Sequence, residues 1–169
     1  SGFYNVFIGN EAGYSNTSGG SNLFMGQGAG YANEESNNNV FLGKYAGNLH
    51  YEGDNNIAIG NGAAQRAEAM KNSIAIGTDA GLVSDGENGI FIGNKAGYKN
   101  TTGSDNIFLG NSAGYTNTKG EQNVFVGNSA GFSNTEGSLN VFMGYLVGYK
   151  NTKGESNVFL GHQAGYSNT

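Results

Sequence analysis

The chain has 169 residues, among them 31 Gly, ten Tyr and ten Phe but no Pro, Cys or Trp, and a formal net charge of −5. Charged residues make up only 12% and the eight Lys and Arg are scattered, so no basic stripe can neutralise a phosphate backbone; this argues against nucleic acid as a partner. No apolar run approaches the ~18 residues of a membrane span, so the segment is not expected to be membrane-embedded, and without Cys there is no disulfide framework.

The first element is Asn5-Val6-Phe7-Ile8-Gly9, a β-branched and aromatic run bounded by Asn and Gly, and it reads as a short strand. The same run recurs from Asn22, Asn39, Asn56, Ser73, Gly89, Asn106, Asn123, Asn140 and Asn157. Its closing glycines (Gly9, Gly26, Gly43, Gly60, Gly77, Gly93, Gly110, Gly127, Gly144, Gly161) are spaced by 17, except for a step of 16 from Gly77 to Gly93 that removes a residue near Asp85-Gly86. A fixed short period of this kind is the signature of a solenoid, and frequent Gly with clustered β-branched residues excludes helices.

After each strand comes Ala12-Gly13-Tyr14 or its copies, expected as a second strand, and then Asn16-Thr17-Ser18-Gly19 or its copies, expected as a polar return loop whose Asn and Gly adopt positive φ. The fold expected is therefore all-β: a parallel β-solenoid, or β-roll, of about ten 17-residue coils. It forms a single repeat domain over residues 1–169, read as a piece of a longer fibre. At the usual strand spacing, ten coils would make a rod of roughly 48 Å.

Stacked coils turn each repeat position into a column. The outer two strand positions are apolar throughout, and the middle one is Phe7, Phe24, Phe41, Ala58, Ala75, Phe91, Phe108, Phe125, Phe142 and Phe159. Alternation along a strand places this middle residue on the opposite face from its neighbours, so both faces are apolar. One packs inside the coil with an Ala column (Ala12, Ala29 and onward). The other needs a cover.

The eight-Phe ladder is therefore expected either as core or as the contact between identical chains, and a closed homo-oligomer is the preferred arrangement because a thin coil buries little. The Tyr14 column loses its aromatics near where Phe gives way to Ala58 and Ala75, so the Phe and Tyr columns are expected to touch. An irregular section is expected at residues 45–88. The leading Asn column (Asn5, Asn22, Asn39 and onward) is expected to link coils through stacked amides.

The runs Asn56-Ile57-Ala58-Ile59-Gly60 and Asn72-Ser73-Ile74-Ala75-Ile76-Gly77 resemble the Asn-Ser-Val-Ala-Ile-Gly motif of trimeric autotransporter adhesin heads. The other coils are similar to Asn-Val-Phe-Leu-Gly repeats of tail-fibre-like surface proteins. This resemblance implies a left-handed parallel β-roll in which three chains pack side by side, with a stalk and an anchor or assembly domain elsewhere in the fibre.

The repeat breaks only in its middle coils. His50, Tyr51, Glu52, Asp54, Arg66, Glu68, Lys71, Asp79, Asp85 and Glu87 show neither metal-ligand nor triad spacing, so no catalytic, cofactor or metal residue is assigned and no enzyme activity is expected. His50 and His162 read as solvated imidazoles.

The Asn-Thr pairs form the surface ladder that could bind a ligand: Asn16-Thr17, Asn100-Thr101, Asn117-Thr118, Asn134-Thr135 and Asn151-Thr152. The function expected is a structural and adhesive segment of a homotrimeric extracellular fibre, a bacterial surface adhesin or phage-like tail fibre, that binds a cell-surface receptor or glycan multivalently. The alternative is an ice-binding or other ligand-binding solenoid that uses the Asn-Thr ladder.

Overall fold

The computed structural model describes residues 2–169. It contains ten three-residue strands: β1 (Val6–Ile8), β2 (Leu23–Met25), β3 (Val40–Leu42), β4 (Ile57–Ile59), β5 (Ile74–Ile76), β6 (Ile90–Ile92), β7 (Ile107–Leu109), β8 (Val124–Val126), β9 (Val141–Met143) and β10 (Val158–Leu160). They form one parallel sheet in chain order, each strand lying on the next residue for residue. The chain is thus an all-β parallel solenoid, without a helix among the described residues.

The short step leaves the sheet untouched. Ile74 still pairs with Ile90 and Ala75 with Phe91, because the missing residue is absorbed in the loop at Asp85-Gly86. A slip of one within the strand would instead have turned every apolar side chain to the wrong face.

The middle residue of each strand points into the coil. Phe24, Phe41, Phe91, Phe108, Phe125 and Phe142 are fully buried, and only the terminal coils leave Phe7 exposed and Phe159 half-buried. The Phe ladder is therefore the core of a single chain, not a contact between chains. Its rings stack almost parallel, as in Phe108–Phe125 at 4.9 Å and Phe125–Phe142 at 4.8 Å, because strand spacing and offset stacking distance nearly coincide. The Ala column (Ala29, Ala46, Ala63 and onward) packs against it.

The second run is not a strand. Two left-handed residues, such as Glu11 (φ 57) and Gly13 (φ 62), fold it into a turn. It still bonds coil to coil, Gly13 N–H donating to Ala29 O at 3.0 Å and Ser15 N–H to Tyr31 O at 2.9 Å. At the second of these positions Gly is needed for space as well as φ: a Cβ on Gly131 would overlap the Phe125 ring.

In the return loop most glycines have ordinary φ. Gly120 is small because its Cα faces the carbonyl of Gly137 in the next coil, while positive φ falls on the last residue of the loop, as in Asn55 (φ 62) and Gln122 (φ 56). The expectation that Gly there serves φ is corrected accordingly.

The Phe and Tyr columns do not pair with each other. Tyr14–Tyr31, Tyr98–Tyr115 and Phe132–Tyr149 stack within their own column, at 5.1, 4.9 and 5.0 Å, on the outside of the coil. The two columns change together near the middle because the coil is repacked there. In the fourth coil Ala58 takes the place of Phe, and the freed volume is filled by Ala64 and Met70, both fully buried where other coils carry Gly. In the sixth coil the Phe91 ring tilts 41° from Phe108 and lies close to Gly81 and Gly89, filling the room that Ala75 leaves.

Beside the hydrocarbon core runs an interior column of amides. Each leading Asn accepts the N–H of its successor, as in Asn123 N–H to Asn106 Oδ1 at 2.9 Å, and donates Nδ2 across its own coil, as in Asn123 to Gly137 O at 2.8 Å. One side chain thereby closes the coil and ties it to its neighbour. Buried amides are tolerable only when partnered in this way.

Candidate functional site

The coil presents three outward surfaces, and each sequence-predicted group falls on one of them or inside. The first is the outer face of the sheet. Because Phe points inward, the two flanking positions of every strand point out, and all twenty are Val, Ile, Leu or Met. Within the stack they are half-buried to exposed; Met25, Ile92 and Met143 are 44%, 39% and 41% accessible. The result is an uncharged apolar strip of roughly 43 Å by 10 Å, from nine strand spacings and two outward residues per strand.

The second surface carries the Tyr column. Its ring faces are covered by one another and by lysines: Lys95 Nζ sits 5.7 Å from the Tyr98 ring and Lys150 Nζ 5.4 Å from Tyr166. Inside the column ring edges and hydroxyls remain for solvent, and the terminal Tyr14, 69% accessible, keeps the most ring surface free.

The third surface holds the return loops, where the structure divides the Asn-Thr ladder. Asn100, Asn117, Asn134 and Asn151 are fully buried; Asn117, Asn134 and Asn151 each pass Nδ2 to the preceding Oδ1 at 2.6–2.7 Å, Asn100 donates to Ser84 Oγ at 3.1 Å, and Asn16, half-buried, donates to Asn33 Oδ1 at 3.1 Å. Only the threonines reach the surface. Four of the five hydroxyls are already committed, Thr101 Oγ1 donating to Thr118 O at 2.8 Å, Thr118 to Thr135 O at 3.0 Å, Thr135 to Thr152 O at 3.1 Å and Thr17 to Glu34 O at 3.3 Å. The ladder is a coil-to-coil tie before it is a binding surface.

The residues that break the repeat do not converge. Tyr51, Glu52, Arg66, Glu68, Lys71, Asp85 and Glu87 are exposed along the outside. Two of the carboxylates serve the loop backbone, Asp54 Oδ1 accepting from Asn37 N–H at 2.7 Å and Asp85 Oδ1 from Ala69 N–H at 3.1 Å. Among the described residues there is no pocket and no cluster of three potential metal ligands.

His50 is the one misplaced by sequence reasoning. It is fully buried, at the position where the preceding coil carries the interior Asn33 and the following coil Ala67. Its Nδ1 lies 3.0 Å from Ala67 O and its Nε2 2.8 Å from Gly53 O, while Phe41 meets the ring edge to face at 5.2 Å. A neutral imidazole can donate to only one of two carbonyls.

Burial holds the His50 imidazole below the ordinary histidine range; the carbonyls of Gly53 and Ala67, with Asp85 and Asp54 beyond, pull the other way. The amide ladder stops here, and Asn33 Nδ2 is left buried without a partner. Alignment of His50 with the Asn16 column was the signal in the sequence. By contrast His162 is exposed and stacks on Tyr145 at 5.3 Å.

None of the protein-family models, curated proteins or solved structures compared with the chain matches it.

Proposed function

We propose that this chain is a structural and adhesive segment of a homotrimeric extracellular fibre, a surface adhesin or tail-fibre shaft, in which repeated outer loops bind a cell-surface receptor or glycan. One observation carries the reading: the uncharged aliphatic strip along the sheet. Its area of about 430 Å² falls within the ~300–600 Å² expected of a monomer's largest apolar patch, and its unbroken regularity over ten strands is that of an interface. A flat strip of Val and Ile, with Phe already consumed inside, suits packing against an identical strip.

The adhesive part follows from repetition. Loops presented once per coil and once per chain give many weak contacts that act together, so avidity replaces single-site affinity. Stacked Tyr faces and the absence of a pocket among the described residues suit broad, shallow contact better than capture of a small molecule.

Light scattering on the chain tests the assembly, with three protomers expected at micromolar concentration and monomers expected for the variant Ile107→Asp/Val124→Asp/Val141→Asp. A monomeric parent would refute it. Binding to glycan arrays or cell surfaces should then fall by more than the threefold loss of valency when the chain is held monomeric.

The ice-binding alternative is disfavoured because Thr101, Thr118 and Thr135 already donate to carbonyls, and the coils between carry Glu34, Tyr51, Glu68 and Asp85 in place of Thr. Thermal hysteresis is expected to be absent.

A further inference from the structure

Each strand is bounded by two outward corners: the two residues that lead into its opening Asn, Ser or Gly, and the two that follow its closing Gly. The corners follow a pattern that neither core nor sheet requires. Around β5 they carry Lys71 before and Asp79 after; around β6, Glu87 before and Lys95 after; around β10, Glu155 before and His162 after. No strand carries like charges at both corners.

Around β9 the corners are apolar instead, Leu139 before and Tyr145-Leu146 after. Leu139 is 54% and Tyr145 49% accessible. Both leucines adopt left-handed backbone, φ 61 and φ 53, where most coils place Ser, Asn, Asp, Gln or Gly and where a branched apolar side chain is disfavoured.

These matched corners cannot meet within one chain. They stand at opposite ends of the same strand, roughly 20 Å apart for an extended run of this length. Among the described residues the only ion pair is Lys153–Glu136.

We infer that copies of this chain stand side by side, parallel and at equal height, with the corner before each strand of one copy set against the corner after the same strand of the next. Lys71 then faces Asp79, Glu87 faces Lys95, Leu139 packs on Tyr145 and Leu146, and Glu155 faces His162. An antiparallel pairing would set Asp54 beside Asp105 and leave Leu139 against Gly20 and Ser21. The arrangement is a rotation about the long axis with the aliphatic strips turned inward, so it closes and leaves no unpaired flank. It rests on the homo-oligomer proposed above and adds the polarity, the register and the residues that read them.

Charges also alternate down each corner column, Lys71 next to Glu87 and Asp79 next to Lys95, which lowers repulsion inside a single chain. The variant Lys71→Glu/Glu87→Lys separates the two explanations, because it keeps that alternation but puts like charges at both corners of β5 and β6. Its half-assembly concentration is expected to rise about tenfold, and adding Asp79→Lys/Lys95→Asp to bring it back. No change in the first variant would overturn the inference.

Register is read by cysteines, which the parent chain lacks. After mild oxidation, Lys71→Cys/Asp79→Cys and Leu139→Cys/Leu146→Cys should each give a covalent oligomer on a non-reducing gel. The control Lys71→Cys/Ser112→Cys, two strands out of register, should not, since a disulfide needs Cα atoms within about 7 Å. An oligomer of native mass that fails to link, or links the control equally, defeats the proposed register while sparing the homo-oligomer; a parent that is monomeric by light scattering defeats both.

Discussion

Truncating Phe125 tests the account of the core most directly. The ring is fully buried, stacked at 4.9 Å on Phe108 and 4.8 Å on Phe142, and closed from the side by Gly131. Removing a buried Phe costs about 3–5 kcal/mol, and each lost aromatic neighbour adds about 0.5–1.5 kcal/mol. The middle of this ladder has two such neighbours and no room to collapse, since strand spacing is fixed by the backbone, so Phe125→Ala should cost about 5 kcal/mol.

Phe159 supplies the comparison. It is half-buried and stacks on Phe142 alone at 5.1 Å, so Phe159→Ala should cost about half as much. Urea unfolding of both variants, followed by circular dichroism with the slope checked for two-state behaviour, reads the difference. Equal losses, or a loss below about 1.5 kcal/mol at Phe125, would refute the reading of the ladder as one continuous core.

Gly131→Ala should cost about 2–3 kcal/mol by overlap with the Phe125 ring, yet less than about 1 kcal/mol when added to Phe125→Ala, reproducing the Ala58/Ala64 pairing that the fourth coil already uses; a double-mutant cycle in urea measures the coupling. Asn117→Ala should cost about 2–4 kcal/mol, because it strips partners from Asn100 Oδ1, Asn134 Nδ2 and Gly120 O inside the coil, whereas exposed Asn111→Ala should change stability by less than about 0.5 kcal/mol.

His50 should make stability depend on pH. Its folded value lies below the unfolded one, so on acidification the unfolded chain takes the proton first; stability should fall as pH drops below about 6.5 and level off once the folded imidazole also titrates. His50→Asn should abolish that slope between pH 7 and 5, and an unchanged slope in thermal melts would sink the assignment.

Much of this fold could be read in the sequence because stacking repeats each decision ten times. The 17-residue period and the three-residue strand identify the solenoid, and the leading Asn column announces a coil-to-coil tie that Asn106 and Asn123 make as expected. Which side of the strand faces inward was less legible. Alternation separates Phe from Val and Ile but does not say which faces the coil; that is decided by Gly131 and its equivalents, whose missing Cβ makes room for a ring.

The Ala-Gly-Tyr run deceived because an apolar, aromatic triplet reads as extended, while left-handed φ at its Gly and at the residue just before the run, a position filled in some coils by residues such as Lys95 that carry no propensity for it, folds the run into a turn. His50 was misjudged for a different reason. A residue that occurs once carries the average expectation for its type, whereas its place was set by the amide column it interrupts.

The loop deletion at Asp85-Gly86 shows that a coil settles its own length without informing its neighbours, since β5 and β6 remain in step across it. Such a stack behaves as a ruler with graduations of about 4.8 Å. Whole coils can be duplicated or lost with each change in gene length turned into a fixed change in reach, while the surfaces of the remaining coils stay as they were. Length is thus encoded separately from surface chemistry, and a change in coil number can alter how far this segment extends without altering the loops it presents.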